Sequence, residues 1–151
     1  MLVLPWSSWD ILKEELKLYL RSQEEIKLEE IFDVGVHSNE SVDYPDIAEK
    51  VALLVLHENY DRGILICGTG IGMSIVANKI PGIRSALIYD PYSAERASKS
   101  NNAQIITLGA LTMGHETAKY LVSIWLRSKF AGGRSTRKVE KINLIDDKYR
   151  K

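Results

Sequence analysis

Cys67 stands directly before a run in which glycine recurs at every second position, Gly68-Thr69-Gly70-Ile71-Gly72. Glycine admits positive φ and lets a ligand approach the backbone with no Cβ in the way. Amides clustered in such a turn hold an anion, whether a phosphate or the oxygen of an enediolate. The same amides stabilise a thiolate. A thiolate facing an anion hole is a base for removing a proton next to a carbonyl. The plain alternative is a buried, inert cysteine beside a loop that is tight only for packing. A third reading is dinucleotide binding, with Asp90 about 20 residues beyond the glycines as the ribose acid. That fingerprint is incomplete, because Met73 occupies the place of its third glycine.

The elements around this stretch position it. Ile64, Leu65 and Ile66 form an apolar run after an Asp-Arg-Gly turn, as in a strand buried on both faces. Residues 73–79 read as a helix that Pro81-Gly82 stops. Further strands are expected at residues 2–4, 29–34, 84–89 and 104–108, and helices at 11–20, from Tyr44-Pro45-Asp46 onward, at 92–100 and at 114–127. Ala131-Gly132-Gly133-Arg134 breaks the last of these, and residues 136–149 form a charged C-terminal helix or arm. The alternation predicts one α/β domain over residues 1–151 with a parallel sheet of about five strands. Ligands in such sheets bind at the carboxyl ends of the strands. Cys67 to Gly72, Asp90 and Asn101 are all expected at that edge.

Composition narrows the function classes. Lys plus Arg and Asp plus Glu both number 20 among 151 residues, so the net charge is zero and no field favours nucleic acid or an anionic membrane. A single cysteine excludes an internal disulfide and argues against a cysteine-rich zinc site, and three dispersed histidines make no metal-ligand spacing. No apolar run is long enough to span a bilayer, and residues 1–5 are apolar but lack a basic leader. A cytoplasmic protein without metal or cofactor is expected.

Five segments together carry a more specific message. They are Glu40-Ser41-Val42-Asp43-Tyr44-Pro45-Asp46, Cys67-Gly68-Thr69-Gly70-Ile71-Gly72-Met73-Ser74-Ile75, Ala77-Asn78-Lys79, Asn101-Asn102-Ala103 and Gly132-Gly133-Arg134. In combination they resemble the ribose-5-phosphate isomerase B family, which includes the two subunits of galactose-6-phosphate isomerase. The resemblance implies a metal-independent aldose–ketose isomerase of sugar phosphates, by default ribose 5-phosphate to ribulose 5-phosphate, of the pentose phosphate pathway. It implies a three-layer Rossmann-like sandwich, a five-stranded parallel sheet with helices on both faces, and a homodimer or homotetramer with active sites at the subunit interface and the C-terminal helix or arm at that interface. By position it makes Cys67 the base, Gly68, Gly70, Ile71 and Gly72 the enediolate cradle, and Thr69 a helper in ring opening. Tyr44 and Asn101 become substrate contacts, and Arg134 and Lys138 the phosphate grip.

The chain also departs from the family. Pro5-Trp6-Ser7-Ser8-Trp9 replaces an Asp-His pair, Ser100 stands for the ring-opening histidine, Leu111 for an arginine, Ser135 for a histidine and Lys138 for an arginine. Lysine keeps the charge but loses the bidentate fork. A serine hydroxyl does not titrate near neutral pH as imidazole does. Two further readings follow: a non-catalytic or partner-dependent sugar-binding subunit working with a related chain, and an isomerase of a different or unphosphorylated sugar. His37, His57 and His115 match no family position and read as surface residues. Trp6 and Trp9 read as packing against a partner subunit or as a sugar platform.

Overall fold

The computed structural model describes residues 2–3, 10–26, 28–35, 43–57 and 60–150. In chain order these form β1 (Leu2–Val3), α1 (Asp10–Ser22), α2 (Tyr44–His57), β2 (Gly63–Cys67), α3 (Ile71–Ala77), β3 (Ser85–Leu87), α4 (Pro91–Lys99), β4 (Ile105–Gly109), α5 (His115–Arg127) and α6 (Thr136–Tyr149). A short 3-10 turn, Gly133–Ser135, precedes α6. The strands make one parallel sheet in the order β1-β2-β4-β3.

Side-chain alternation along the central strands builds two cores, because successive residues of a strand point to opposite faces. Ile64 and Ile66 of β2, with Ile106 and Leu108 of β4, pack under α1, α4 and α5 beside Leu16, Ala97, Leu121 and Trp125. Leu65 and Ile105 point the other way and pack under α2 and α3 against Val51, Ala52, Met73 and Ala77. Each such aliphatic side chain fully removed from water contributes about 1.5–3 kcal/mol. The near-continuous apolar sequence of β2 and β4 is therefore what a sheet covered on both faces demands.

The sheet corrects one sequence expectation. Four strands, not five, are found among the described residues, and residues 29–34 make only a single bridge at Asp33. Charged residues take Glu29, Glu30 and Asp33 in that segment. Ile31 and Val34 alone reach the two cores, so the chain touches the layers at two points without laying down a ladder. Asp33 serves instead as an anchor. Lys17 Nζ donates to its Oδ2 at 2.9 Å, Lys13 Nζ lies 3.4 Å away, and the Gly35 amide donates to its Oδ1 at 2.9 Å.

At the other end of the sheet, Arg62 donates to Ser98 Oγ and the Ser128 carbonyl at 3.0 and 2.9 Å, and its guanidinium lies over the Trp125 ring. This ties α4 and α5 together. The helix α6 is fastened to the start of β3 by polar bonds. Asp146 accepts from the Gly82 amide at 2.8 Å, Arg84 donates to Asn143 at 3.1 Å, and Arg150 donates to the carbonyls of Asn78 and Lys79. Ile142, Leu144, Ile145 and Tyr149 remain exposed along α6.

Burial raises the pKa of the Asp33 carboxyl, but the Lys17 hydrogen bond, the Gly35 amide and the Lys13 charge outweigh it and hold the group below its ordinary value. A carboxyl depressed in the folded state stabilises the fold above its unfolded pKa and loses that contribution as pH falls through the folded one. Asp33→Asn is expected to cost about 2 kcal/mol at neutral pH. In thermal melts across pH, the gap between wild type and variant should close below about pH 4.

Candidate active site

Cys67 closes β2 at its carboxyl end, in register with Gly109 at the end of β4. The chain leaves β2 toward the α3 face and leaves β4 toward the α5 face. Neighbouring strands whose continuations part in this way open a crevice between them at the carboxyl edge. The loop of residues 67–72 lies in that crevice.

The hydrogen bonds of this loop are sorted by direction. Its carbonyls are drawn outward: Ala110 N–H donates to Cys67 O at 2.8 Å, Leu111 N–H to Gly68 O at 3.0 Å, and Ser74 N–H to Gly70 O at 3.1 Å. The Tyr89 hydroxyl donates to Thr69 O at 3.2 Å. Of the amides, Gly70 N–H donates to Cys67 Sγ at 3.1 Å and Ile71 N–H to Thr69 Oγ1 at 3.3 Å. The amides of Gly68, Thr69 and Gly72 have no acceptor among the described residues. Three open donors beside a sulfur that already accepts an N–H are an arrangement able to hold an anion next to a nucleophile or base. Cys67 is half-buried and is a free thiol.

Two glycines are required by shape. Gly70 has φ +76°, and a Cβ there would stand 2.6 Å from Leu87 Cδ1 and 2.9 Å from the Leu108 carbonyl carbon. A Cβ on Gly72 would meet the Tyr44 hydroxyl at 2.7 Å, so the phenol at the start of α2 rests directly on the loop. Thr69 and Ile71 are exposed at the mouth. Met73 is fully buried in the α2/α3 core. Asp90 is occupied as the N-cap of α4, accepting from Ser93 N–H at 2.8 Å and bonded to the Ser93 hydroxyl at 2.5 Å. Those bonds hold its carboxyl below the usual range. The acid required by the dinucleotide reading is thus already used by the fold.

A second correction concerns the remaining predicted residues. Asn101 was expected at the same edge as Cys67, yet Ser100 and Asn101 sit at the opposite, amino edge. The reason is helical return: α4 starts at the carboxyl end of β3 and runs back, so the residues after it lie where β4 begins. Asn102 O accepts from Arg84 beside the start of β3, and Gln104 O accepts from the Gly63 amide at the start of β2. Asn101 Nδ2 donates to Arg96 O at 3.1 Å and caps α4. The Ala131 amide donates to Lys99 O at 3.1 Å, which brings the Gly132-Gly133-Arg134 turn to the same edge. Arg134 and Lys138 are exposed there. A strand of five residues is about 16 Å long, so within one chain these groups stand a sheet's depth away from Cys67.

The sequence reading missed the backbone of Ala110 and Leu111 and the hydroxyl of Tyr89. Their signal was Gly109. It ends a buried strand beside the cysteine strand, and a Cβ there would strike the Thr69 carbonyl at 2.8 Å. His115 pairs with Glu15 at 3.3 Å, and His57 is exposed at the end of α2. Trp6, Trp9 and His37 lie outside the described residues.

A family model described as ribose/galactose isomerase matches residues 10–142. The chain belongs to that family. Ribose-5-P isomerase B of Listeria innocua is 57% identical to this isomerase over 136 residues, covering 90% of this chain and 92% of its own. D-erythrulose-4-phosphate isomerase of Pectobacterium atrosepticum is 54% identical over 103 residues, 68% of each chain. A solved ribose-5-phosphate isomerase B of Clostridium thermocellum superposes with a TM-score of 0.88 at 42% identity, covering 98% and 97% of the two chains. Among the described residues, no helix of this family member is long and apolar enough to cross a membrane.

The loop geometry makes a direct prediction. Gly70→Ala forces a side chain into a left-handed backbone and against Leu108, a strain of about 1–3 kcal/mol. Turnover is expected to fall more than tenfold while circular dichroism stays native. Unchanged turnover would mean that the loop has room to rearrange.

Proposed function

We propose that this isomerase interconverts an aldose phosphate and a ketose phosphate through a cis-enediolate, with ribose 5-phosphate and ribulose 5-phosphate as the reference pair. The observation that carries this reading is the Cys67 thiol beside three open loop amides. With the sugar in open-chain form, the Cys67 thiolate takes the proton from C2. A C1–C2 double bond forms and the carbonyl electrons move onto O1, where the amides of Gly68, Thr69 and Gly72 receive the charge. The thiol returns its proton to C1 while the O2 proton passes to O1, so that C2 becomes the carbonyl and O1 the hydroxyl. Atoms and electrons balance with no external oxidant or reductant, so neither metal nor cofactor enters the proposal. Relatives named for a five-carbon and a four-carbon sugar phosphate support the substrate class.

The phosphate grip is supplied by a second copy of the chain in this proposal. Ser100, Asn101, Arg134 and Lys138 gather at the amino edge, a sheet's depth from their own Cys67, so the two halves meet when the amino edge of one protomer faces the carboxyl edge of its partner. The exposed apolar residues of α6 fit a role at that interface, which should bury more than about 1,000 Å² in total. We place this single-domain homodimer, or a tetramer of such pairs, in the cytoplasm and in the pentose phosphate pathway.

Cys67→Ala is expected to lower turnover of ribose 5-phosphate on the order of 10³-fold or more with the fold intact. Wild-type activity in that variant would remove Cys67 as the base. Sharing of the site is tested by complementation. Cys67→Ala and Arg134→Ala are each expected to be inactive alone. After unfolding and refolding together, half the dimers are mixed and carry one intact site, restoring roughly a quarter of the wild-type sites. No restoration would place both residues in one chain's own site.

A further inference from the structure

Three of the loop carbonyls, those of Cys67, Gly68 and Gly70, accept from the backbone amides of Ala110, Leu111 and Ser74. Any residue type but proline supplies such a donor. The Thr69 carbonyl is held differently, by a side chain: the Tyr89 hydroxyl donates to it at 3.2 Å. Thr69 O and Gly70 N–H are the two ends of one planar peptide group. That N–H donates to Cys67 Sγ at 3.1 Å. Phenol, peptide and sulfur therefore form one continuous hydrogen-bonded chain.

The sheet is shaped to make this contact. β4 lies between β2 and β3, so Cys67 and the end of β3 are two strand spacings apart, about 10 Å. Gly109 closes β4 and lets the loop fold across that gap, since a Cβ there would stand 2.8 Å from the Thr69 carbonyl. Gly70 reaches as far as β3, where a Cβ on it would stand 2.6 Å from Leu87 Cδ1, two residues before Tyr89. The Tyr89 backbone is fixed from both sides. Ile88 is buried and its N–H donates to Thr107 O at 3.2 Å, while Asp90 caps α4. The Tyr89 ring is exposed, so packing does not account for where its hydroxyl points.

We infer that Tyr89 is a positioning residue for the base: its hydroxyl holds the Thr69–Gly70 peptide so that the Gly70 N–H points at the Cys67 sulfur and stabilises the thiolate. A hydrogen bond accepted at the carbonyl polarises the peptide and strengthens its N–H as a donor. An N–H aimed at sulfur favours the charged form, which is the form that takes a proton. The phenol keeps its own proton throughout and does not touch the sugar in this role. The inference rests on the isomerase reading above and adds a residue to its machinery.

The test is Tyr89→Phe in the full-length protein, read by ribose 5-phosphate kinetics and by nuclear magnetic resonance of the isotope-labelled backbone. Phenylalanine keeps the ring and its magnetic field, so a change in resonance position reports the lost hydroxyl. The Gly70 amide proton should move upfield as its bond to sulfur lengthens, while the amide protons of Ala110 and Leu111 stay in place. The kcat should fall roughly three- to tenfold, the weight of one hydrogen bond, with KM unchanged. A lower kcat with the Gly70 resonance unmoved would mean that the phenol acts on the substrate itself. Equal displacement of the Gly70, Ala110 and Leu111 resonances would mean a brace for the whole loop, and an unchanged kcat would mean that the bond to sulfur does not serve the base. Each of these overturns the inference and leaves the isomerase reading standing. A wild-type protein that converts no aldose phosphate overturns both.

Discussion

The structure depends on the outward tethering of four consecutive carbonyls. Those of Cys67, Gly68, Thr69 and Gly70 are held by Ala110, Leu111, Tyr89 and Ser74 respectively. A peptide whose carbonyl is fixed on one side presents its amide to the other, so the tethers decide where the loop's positive ends point. Little reorganisation is then left for the moment at which negative charge appears on the substrate, which is what makes preformed dipoles effective in catalysis. The tethers come from the strand ends. β4 supplies two through the turn after Gly109, the segment following β3 supplies Tyr89, and α3 supplies Ser74. The buried parallel pairing of β2 with β4 brings these together, and the two apolar cores on either side of that pair hold the loop in shape.

The same parallel architecture separates the chemistry from the charge that would hold a phosphate. A helix following a parallel strand must run back to the amino edge, so any residue after α4 or α5 ends far from the loop after β2. Arg134 and Asn101 obey that rule. In the proposed mechanism this chain therefore carries two half-sites at opposite ends of one sheet. A homo-oligomer with a two-fold axis resolves the geometry without any further element, because each interface then brings unlike ends together twice.

Much of this was readable from residue order. The apolar run before Cys67, the glycine alternation after it and the Pro81-Gly82 stop fix a strand, a tight glycine turn and a helix in sequence, and the structure has all three. Residues 136–149 read as a helix and are one. The strand expected over residues 29–34 was not legible as an anchor, because the value of Asp33 lies in Lys13 and Lys17, which are remote in sequence and meet it only after α1 has packed. The place of Asn101 was misread because a strand-end rule was applied to a residue that follows a helix. The Ala110 and Leu111 amides left only the preceding Gly109 as a signal and Tyr89 less still, since a tether is a property of two segments brought together by the sheet.

The central claim is that Cys67 carries a proton between two carbons of the sugar while the loop amides hold an enediolate. The most direct measurement is nuclear magnetic resonance of the product formed from the aldose phosphate in deuterated water. A thiol that is half-exposed exchanges its proton with solvent during the lifetime of the enediolate, so the account predicts deuterium at C1 of the ketose. Product with no deuterium at C1 at any stage of the reaction would mean that no solvent-exchanging thiol carries the hydrogen, and would contradict it.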